Sequence, residues 1–259
     1  MRSLSDADLL HLWEGGLRRH PLDRALLALG AAFPETPYEH LADWPLGRRN
    51  RALVELRRNC FGPKLQGWTA CPSCREKLEF ELDGRVILDA GSGAPSIADG
   101  PDQPIVVRHS SFRLPTSRDL ARVAKETDPR LAAIRLVENC RLATVNDEET
   151  SADDARFAVD PSDQHLATWS DEDLEEIGEQ MALADPLAET RLTLHCPKCG
   201  VDWEESLDMT SFLWTEIDAR VRRLLLEIHT LATAYGWTET EILSLGENRR
   251  VRYVEMVQS

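Results

Sequence analysis

The sequence predicts an α+β fold that is mostly helical, with two β-hairpins placed between N- and C-terminal helices. Three observations lead to this fold class: a thirteen-residue repeat, alternating hydrophobicity within the repeat, and four helix starts that share one capping pattern. The 259 residues are 42% hydrophobic and 29% charged, which is typical of ordinary globular proteins and excludes disorder over the whole chain. The length fits one or two domains.

The N-terminal region, 1–62, is predicted to be helical, with breaks at three prolines, because proline cannot continue the helical hydrogen-bond pattern. These breaks fall at Pro21, Pro34 and Pro45. Its first helix starts with a serine that has an acid three residues later, which is the pattern of a capping box. The same pattern predicts four helix starts in all, with caps at Ser5, Thr116, Ser170 and Thr238.

Four of the six cysteines form two copies of one motif, CPSC at 71–74 and CPKC at 196–199. In a protein of the reducing cytoplasm, a disulfide framework is not expected, and paired C-x-x-C motifs indicate a zinc site. Two such turns supply a tetrahedron of four thiolates, each about 2.3 Å from the metal. The sequence therefore predicts one structural Zn²⁺ per chain, bound by Cys71, Cys74, Cys196 and Cys199.

Each cysteine motif belongs to a longer repeat, 71–83 and 196–208, and both copies end in Leu-Asp. In the first copy Leu78, Phe80 and Leu82 alternate with charged residues, which predicts a strand with one buried face. We call the tight turn formed by each C-x-x-C motif a knuckle. Apolar residues also precede each knuckle, so each copy is predicted to fold as strand, knuckle and strand. Two hairpins that share one metal form a zinc ribbon, here assigned to 63–88 and 190–209.

The two halves of this ribbon are separated by 121 residues, 75–195. The insertion must therefore begin and end at the same place, and the metal is expected to staple the whole fold. Two alternatives stay open at this point. The C-x-x-C motifs could be independent redox pairs, although such a motif normally opens a helix, or His195 could replace one thiolate. Cys60 and Cys140 are interpreted as core thiols.

The insertion, 89–189, is predicted to contain several elements in order. They are a loop over 89–103, a strand with its turn over 104–114, helices at about 117–126 and 129–142, an acidic mobile segment over 143–168 and a helix from about 170. The C-terminal region, 210–259, is predicted to be helical over 211–235 and 239–256. One apolar stripe runs along the first of these helices: Leu213, Ile217, Val221, Leu224, Ile228 and Leu231.

The net charge of −15 is concentrated in residues 141–190, which hold fifteen acids and two basic residues. We expect most of this charge to be solvated, with docking of a basic partner as the alternative. The N-terminus carries Asp6, Asp8 and Glu14 where a signal peptide needs an uninterrupted apolar core. No stretch approaches the length of a membrane span. We therefore expect a cytoplasmic protein without membrane association.

Catalysis is not expected, because a closed four-thiolate site has no open position for water or substrate. The sequence also lacks a glycine-rich phosphate loop, a G-x-S-x-G motif and an H-E-x-x-H motif, so no small-molecule substrate is expected. Nucleic acid is disfavoured because the hairpin segments 64–83 and 191–208 hold five basic residues against eight acids. Two arginine clusters are interpreted as helix-surface residues: Arg48, Arg49, Arg51, Arg57 and Arg58, and Arg249, Arg250 and Arg252.

Several motifs, in this order along the chain, resemble the T4-type phage baseplate assembly family, which also occurs in phage-like contractile injection systems. They are LGRRN at 46–50, FGP at 61–63, ACPSC at 70–74, RLPTSRDL at 113–120, CPKC at 196–199, and FLWTEI at 212–217 through AYGWTE at 234–239. The resemblance implies a non-enzymatic component or assembly chaperone of a contractile-tail baseplate. It implies baseplate or hub proteins as partners and possible incorporation into a tail-like particle. It supplies no catalytic residues.

Two further expectations concern the C-terminal helices. The apolar stripe of helix 211–235 is expected to pack on the ribbon and the N-terminal helices. Arg220, Arg222 and Arg223, with the cluster Arg249, Arg250 and Arg252, are then expected to face outward and dock baseplate or hub subunits. The alternative function is that of a zinc-ribbon adaptor that binds nucleic acid or transcription machinery.

Overall fold

The computed structural model describes residues 1–91, 104–142 and 169–258. These residues form a mostly helical fold with three small antiparallel sheets. The helices are α1 (Asp6–Gly16), α2 (Pro21–Ala32), α3 (Tyr38–Ala42), α4 (Leu46–Phe61), α5 (Gly84–Ala90), α6 (Ser117–Val123), α7 (Pro129–Cys140), α8 (Asp171–Ala184), α9 (Met209–Tyr235), α10 (Glu239–Ser244) and α11 (Glu247–Gln258). The strands are β1 (Lys64–Ala70), β2 (Lys77–Asp83), β3 (Ile105–Val107), β4 (Ser110–Phe112), β5 (Arg141–Leu142), β6 (Arg191–His195) and β7 (Asp202–Ser206).

All four predicted helix starts are confirmed, and each carries a capping box. At Ser5 the hydroxyl accepts a hydrogen bond from the N–H of Asp8, while the Asp8 carboxylate accepts from the N–H of Ser5. These bonds satisfy backbone donors that a helix start leaves without a partner. An aspartate three residues after the cap therefore serves as well here as the more usual glutamate.

The largest core lies between the N-terminal helices and the first half of α9. Helices α1, α2 and α4 contact α9 there, and their apolar faces are fully buried, as at Leu29 and Leu53. Strand β1 enters the same core through Leu65, and Leu82 of β2 packs against it. The first hairpin is thus anchored at its base to the helical body, while its tip carries the cysteines.

The two predicted hairpins are confirmed as antiparallel pairs. Strand β1 pairs with β2 from Lys64 opposite Asp83 to Ala70 opposite Lys77. Strand β6 pairs with β7 from Arg191 opposite Ser206 to His195 opposite Asp202. A helix that the sequence did not predict, α5, follows the first hairpin directly. Its N-cap is Asp83, the last residue of β2, whose carboxylate accepts from the N–H of Arg85.

The insertion forms a second, smaller core in which β3, β4 and β5 make one sheet beside α7 and α8. The predicted strand at 104–114 is in fact a hairpin, β3–β4. The helix predicted over 129–142 ends at Cys140, because Arg141 and Leu142 pair with β4 instead. The predicted loop 89–103 lies outside the described residues beyond Gly91, and the predicted mobile segment 143–168 lies wholly outside them.

The insertion is joined to the body at the start of α4. The N–H of Leu46 donates to the carbonyl of Pro115 at 3.0 Å. The N–H of Gly47 donates to the buried carboxylate of Asp185 at 2.7 Å. The side-chain amide of Asn50 donates to the carbonyl of Leu187 at 2.8 Å. Three polar contacts within the first two turns of α4 therefore fix the insertion on one end of this helix.

The expected packing of the α9 stripe is correct for its first half and wrong for its second half. Leu213, Ile217 and Val221 pack in the main core with the N-terminal helices. Leu224, Ile228 and Leu231 instead form a separate core with Ile242 of α10 and apolar residues of α11. The reason is length: a helix of 27 residues extends past the N-terminal helices, and α10 and α11 fold back to cover its far end.

The expected outward position of the C-terminal arginines is wrong for Arg220 and Arg250. The side chain of Arg250 is 1% exposed and pairs with Asp6 and with Glu227. Arg220 is also buried and pairs with Asp6 and with Glu247. Two guanidinium groups thus tie the start of α1 to α9 and α11. The other arginines of this set, Arg222, Arg223, Arg249 and Arg252, are exposed as expected.

The arginine cluster on α4 was also interpreted wrongly, because none of its members is an exposed surface residue. Arg57 is 2% exposed and donates to Glu216 and to the carbonyls of Gly62 and Lys64. Arg49 is buried as well, and its guanidinium donates to the Ser117 hydroxyl at 3.3 Å. These arginines hold neighbouring segments together through carbonyl, carboxylate and hydroxyl acceptors.

Among the described residues, no helix combines the length and the apolar character needed to cross a membrane.

Candidate metal centre

The four predicted ligand cysteines converge at the tips of the two hairpins. The Sγ atoms of Cys71 and Cys199 are 3.6 Å apart, and so are those of Cys74 and Cys196. All four Sγ atoms lie within 4.8 Å of one another. Residues separated by more than a hundred positions are thus brought to one point, and this group of thiols could hold a metal ion.

The two knuckles have the same backbone structure. In the first, the N–H of Cys71 donates to the carbonyl of Glu76, and the N–H of Arg75 donates back to the carbonyl of Cys71, both at 2.9 Å. In the second, Cys196 makes the same pair of bonds with Val201 and Gly200, also at 2.9 Å. The sequence repeat is therefore a structural repeat, and each tight turn closes the hairpin that carries it.

Both knuckles pass through the left-handed backbone region at the residue after the second cysteine. This residue is Arg75 in the first knuckle, with φ of 59°, and Gly200 in the second, with φ of 73°. Glycine adopts this conformation without a steric cost, whereas a residue with a side chain does so at a cost of about 1 kcal/mol or more. The chain must reverse here for both thiols of a knuckle to point the same way.

The spacing of the sulfur atoms fits a tetrahedral metal site. Four thiolates about 2.3 Å from a central ion are about 3.8 Å from each other. The observed cross-hairpin separations of 3.6 Å agree with that edge length. A disulfide would instead bring two sulfurs to about 2.05 Å, and all six cysteines are free thiols. The donor set therefore suits a soft or borderline divalent cation.

The surroundings of the centre favour the thiolate at one cysteine and disfavour it at another. The backbone N–H groups of Cys74 and Ser73 lower the pKa of the Cys71 thiol to about 6. The backbone N–H of Glu76 lowers the pKa of the Cys74 thiol, but burial and the neighbouring thiols outweigh it, so this pKa is raised. Cys71 and Cys196 are buried, whereas Cys199 is exposed to solvent. The group of four thiols therefore has one covered side and one exposed side. Deprotonated sulfur is the form that binds a metal.

Two polar contacts join the hairpins beside the cysteines, and neither was predicted. The ammonium group of Lys198 pairs with the carboxylate of Glu76 at 2.6 Å. The hydroxyl of Thr69 donates to the carboxylate of Glu205 at 3.3 Å. Lys198 and Glu76 each lie within two residues of a cysteine. Their opposite charges in the two copies of the repeat were the only indication in the sequence that they could pair. The approach of the two hairpins that pairs them was not visible in the sequence.

The remaining candidate ligands lie elsewhere. The ring of His195 pairs with Asp202 at 2.7 Å across its own hairpin, and it does not belong to the group of converging thiols. Cys140 is fully buried in the insertion, and burial raises the pKa of its thiol to about 11. Cys60 packs against the main core, and burial raises the pKa of its thiol too. The two core thiols were thus predicted correctly.

No protein family, no curated protein and no solved structure is significantly similar to this chain.

Proposed function

We propose that Cys71, Cys74, Cys196 and Cys199 hold one structural Zn²⁺, and that the two hairpins form a zinc ribbon around it. The support is the donor set, four thiolates at the spacing of a tetrahedron. Four protein ligands leave no position for water or substrate, so the role of this ion is to hold the chain. It ties together the two ends of the insertion, and its binding free energy becomes folding free energy.

We propose further that the protein is a non-enzymatic assembly or structural protein of a contractile-tail or injection-system baseplate. The observation that carries this proposal is the ordered set of motifs that resemble the T4-type baseplate assembly family. Two of them, LGRRN at 46–50 and RLPTSRDL at 113–120, contact each other in the fold. Motifs that jointly build one junction form a structural unit. Their contact therefore supports one family resemblance that covers both motifs instead of two chance matches.

The described surface is compatible with this function. Hydrogen bonds join the insertion and the first hairpin to the helical body, and buried ion pairs join the helices of that body to one another. A rigid body of this kind holds a partner in a defined orientation at low entropic cost. The proposed partner is a baseplate or hub protein. Binding such a partner requires no catalytic group from this chain.

Deletion of the gene tests the proposal. We expect tail tube, sheath and baseplate subunits to be expressed at normal levels, while electron microscopy of the lysate finds no complete contractile particles. A plasmid copy of the wild-type gene should restore particles, and a copy with Cys71→Ser and Cys196→Ser should restore few. Normal numbers of contractile particles without the protein would overturn the function. Zinc content of the purified protein tests the metal independently.

A further inference from the structure

The indole of Trp68 is the most unusual exposed group on the metal-bearing hairpins. All seven tryptophans of the chain lie in the described residues, and the other six are buried or half-buried. Trp68 is 69% exposed, near the middle of β1. An aromatic side chain buries about 150–250 Å² of surface when a partner covers it. Tryptophan is also strongly enriched among the residues that dominate binding energy at protein interfaces.

The face of the hairpin that carries Trp68 packs on nothing in the described structure. Side chains alternate along the strands, so Leu65 and its partner Leu82 point to the core, whereas Trp68 and its partner Glu79 point away. Glu79 is exposed, and within the described residues it makes no ion pair. Directly paired residues on one face of a sheet have their Cβ atoms about 5 Å apart. An uncovered indole therefore stands beside a carboxylate that makes no ion pair among the described residues.

The cation–π contact to the indole contributes little energy. The ammonium group of Lys77 lies 5.6 Å from the ring centroid of Trp68. A cation over an aromatic ring at an exposed site contributes about 0.5–1 kcal/mol. With that contact made, Trp68 is still 69% exposed. The contact does, however, indicate which chemistry the ring accepts: a cation.

The charge around this face selects the partner. Over 64–83 and 191–208 the two hairpins hold five basic residues against eight acids. On the Trp68 face itself Glu81 is paired with Lys64, whereas Glu79 has no ion pair among the described residues. A nucleic-acid backbone or an acidic protein would be repelled on approach. A basic protein segment would be attracted, and arginine in particular both stacks on an aromatic ring and pairs with a carboxylate.

We propose that the Trp68 face, formed by Gln66, Trp68, Lys77, Glu79 and Glu81, docks a basic, partly apolar segment of a partner protein. An arginine or lysine of that segment stacks on the uncovered indole and pairs with Glu79, and adjacent apolar side chains cover the rest of the ring. This inference rests on the proposed function only for the source of the segment, a baseplate or hub subunit. The chemistry of the site is independent of that source.

The first test needs no knowledge of the partner. A library of displayed random peptides is selected on the immobilised wild-type protein and counter-selected on Trp68→Ala. We expect enriched peptides to carry arginine or lysine next to apolar residues. A synthetic peptide of the enriched sequence should bind at least about tenfold more weakly to Trp68→Ala, as expected for an interface anchor. It should also bind more weakly to Glu79→Lys and at higher salt.

Two matched controls make this result specific. Leu183 is 73% exposed on α8, and Glu175 is an exposed acid of the same helix. Leu183→Ala and Glu175→Lys remove similar groups away from the hairpins, and both should leave peptide affinity within about twofold of wild type. Thermal unfolding and metal content of Trp68→Ala should match wild type, because its indole is mostly in solvent.

The second test uses the tail subunits of the same organism. Each purified tube, sheath, wedge and hub subunit is titrated against wild type, Trp68→Ala and Glu79→Lys. We expect one subunit to bind wild type and to lose at least about tenfold in affinity with each variant. If a subunit binds all three proteins equally, the proposed function stands and the Trp68 face is wrong. If peptides are selected and no subunit binds, the face stands and the proposed function falls.

Two further outcomes would overturn the proposal outright. One is the failure of the peptide selection to enrich any sequence that distinguishes wild type from Trp68→Ala. The other is quenching of Trp68 fluorescence by single-stranded oligonucleotide at physiological salt, with loss of binding in Trp68→Ala. Aromatic side chains on strands do stack on nucleic-acid bases, and that result would assign the face to nucleic acid instead of a protein.

Discussion

The backbone N–H of Gly47 donates a 2.7 Å hydrogen bond to the buried carboxylate of Asp185, which lies 138 residues further along the chain. Gly47 is in the first turn of α4, and Asp185 is the C-cap of α8. A Cβ atom at position 47 would lie 1.6 Å from a carboxylate oxygen of Asp185. The absence of a side chain is therefore what lets the insertion dock on the body at this point.

Gly47→Ala is expected to lower the free energy of unfolding by about 3 kcal/mol, the upper part of the range for overpacking at a buried site. The physical reason is that Asp185 is 1% exposed, so its carboxylate would have to shift within a buried site and would lose its bond from the N–H of Gly47. Urea unfolding followed by circular dichroism measures the change. Gly30→Ala is the control, because a Cβ there meets nothing within 4 Å. In the interior of α2 that change should stabilise by about 0.5–1 kcal/mol. Equal effects of both changes would contradict the close approach.

The second prediction concerns Asp119, which is fully buried at the start of α6. Burial alone would raise the pKa of this carboxyl, but ion pairing with Arg113 and hydrogen bonds from Thr116 outweigh it and hold the pKa below its usual value. A lowered pKa means that the native state stabilises the ionised form. Ionised Asp119 contributes its full share to the free energy of unfolding above the pKa of the unfolded state, about 3.9. This contribution is lost as the pH falls through the lower pKa of the native state.

Asp119→Asn should therefore be less stable than wild type by about 1–3 kcal/mol at pH 7, and this difference should narrow below about pH 4. The measurement is urea unfolding of both proteins at a series of pH values, with wild type as the reference at each pH. The exposed residue Glu175 gives the control, since Glu175→Gln should match wild type throughout. A difference for Asp119→Asn that stays constant down to pH 3 would contradict the lowered pKa.

The sequence contained enough local information to predict the elements that depend on near neighbours. Capping boxes such as Ser5 with Asp8 need residues only three positions apart, and the knuckles repeat the same spacing of two residues between cysteines. Alternation at Leu78, Phe80 and Leu82 predicted β2 for the same reason. The convergence of the cysteines was also predictable, because one metal coordination shell demands four ligands at one point.

The features that the sequence could not predict depend on distant partners. The burial of Arg250 follows from Asp6, which lies 244 positions away in the chain, and from the return of α11 along α9. An arginine is expected at the surface unless a buried carboxylate is known to pair with it. Helix α5 was missed because its seven residues are few for a periodic pattern and its cap, Asp83, is also the last residue of a strand.

The third prediction concerns Arg250. Its guanidinium is buried and pairs with Asp6 and, at 3.0 Å, with Glu227. Arg250→Met fills similar volume but leaves the buried Glu227 without this cation and Asp6 paired with Arg220 alone, which should lower the free energy of unfolding by about 3–5 kcal/mol. The neighbouring residue provides the control, since Arg249→Met alters an exposed side chain and should change stability by less than about 0.5 kcal/mol. If the two variants unfold at the same urea concentration, the buried network is wrong.

The last prediction concerns the metal. Purified wild-type protein should contain about one zinc ion per chain by elemental analysis, because the four thiols form a single site. Cys71→Ser replaces a buried ligand by a hydroxyl that does not ionise at neutral pH, and zinc content should fall well below that of wild type. Cys60→Ser changes a thiol outside the site and should retain full zinc content.

Thermal unfolding should separate the variants as well. Loss of the ion should lower the midpoint of thermal unfolding by about 10 °C or more, because it frees the two hairpins that close the 121-residue insertion. A variant with all four cysteines changed to serine that keeps the wild-type midpoint would overturn the stapling role of the metal.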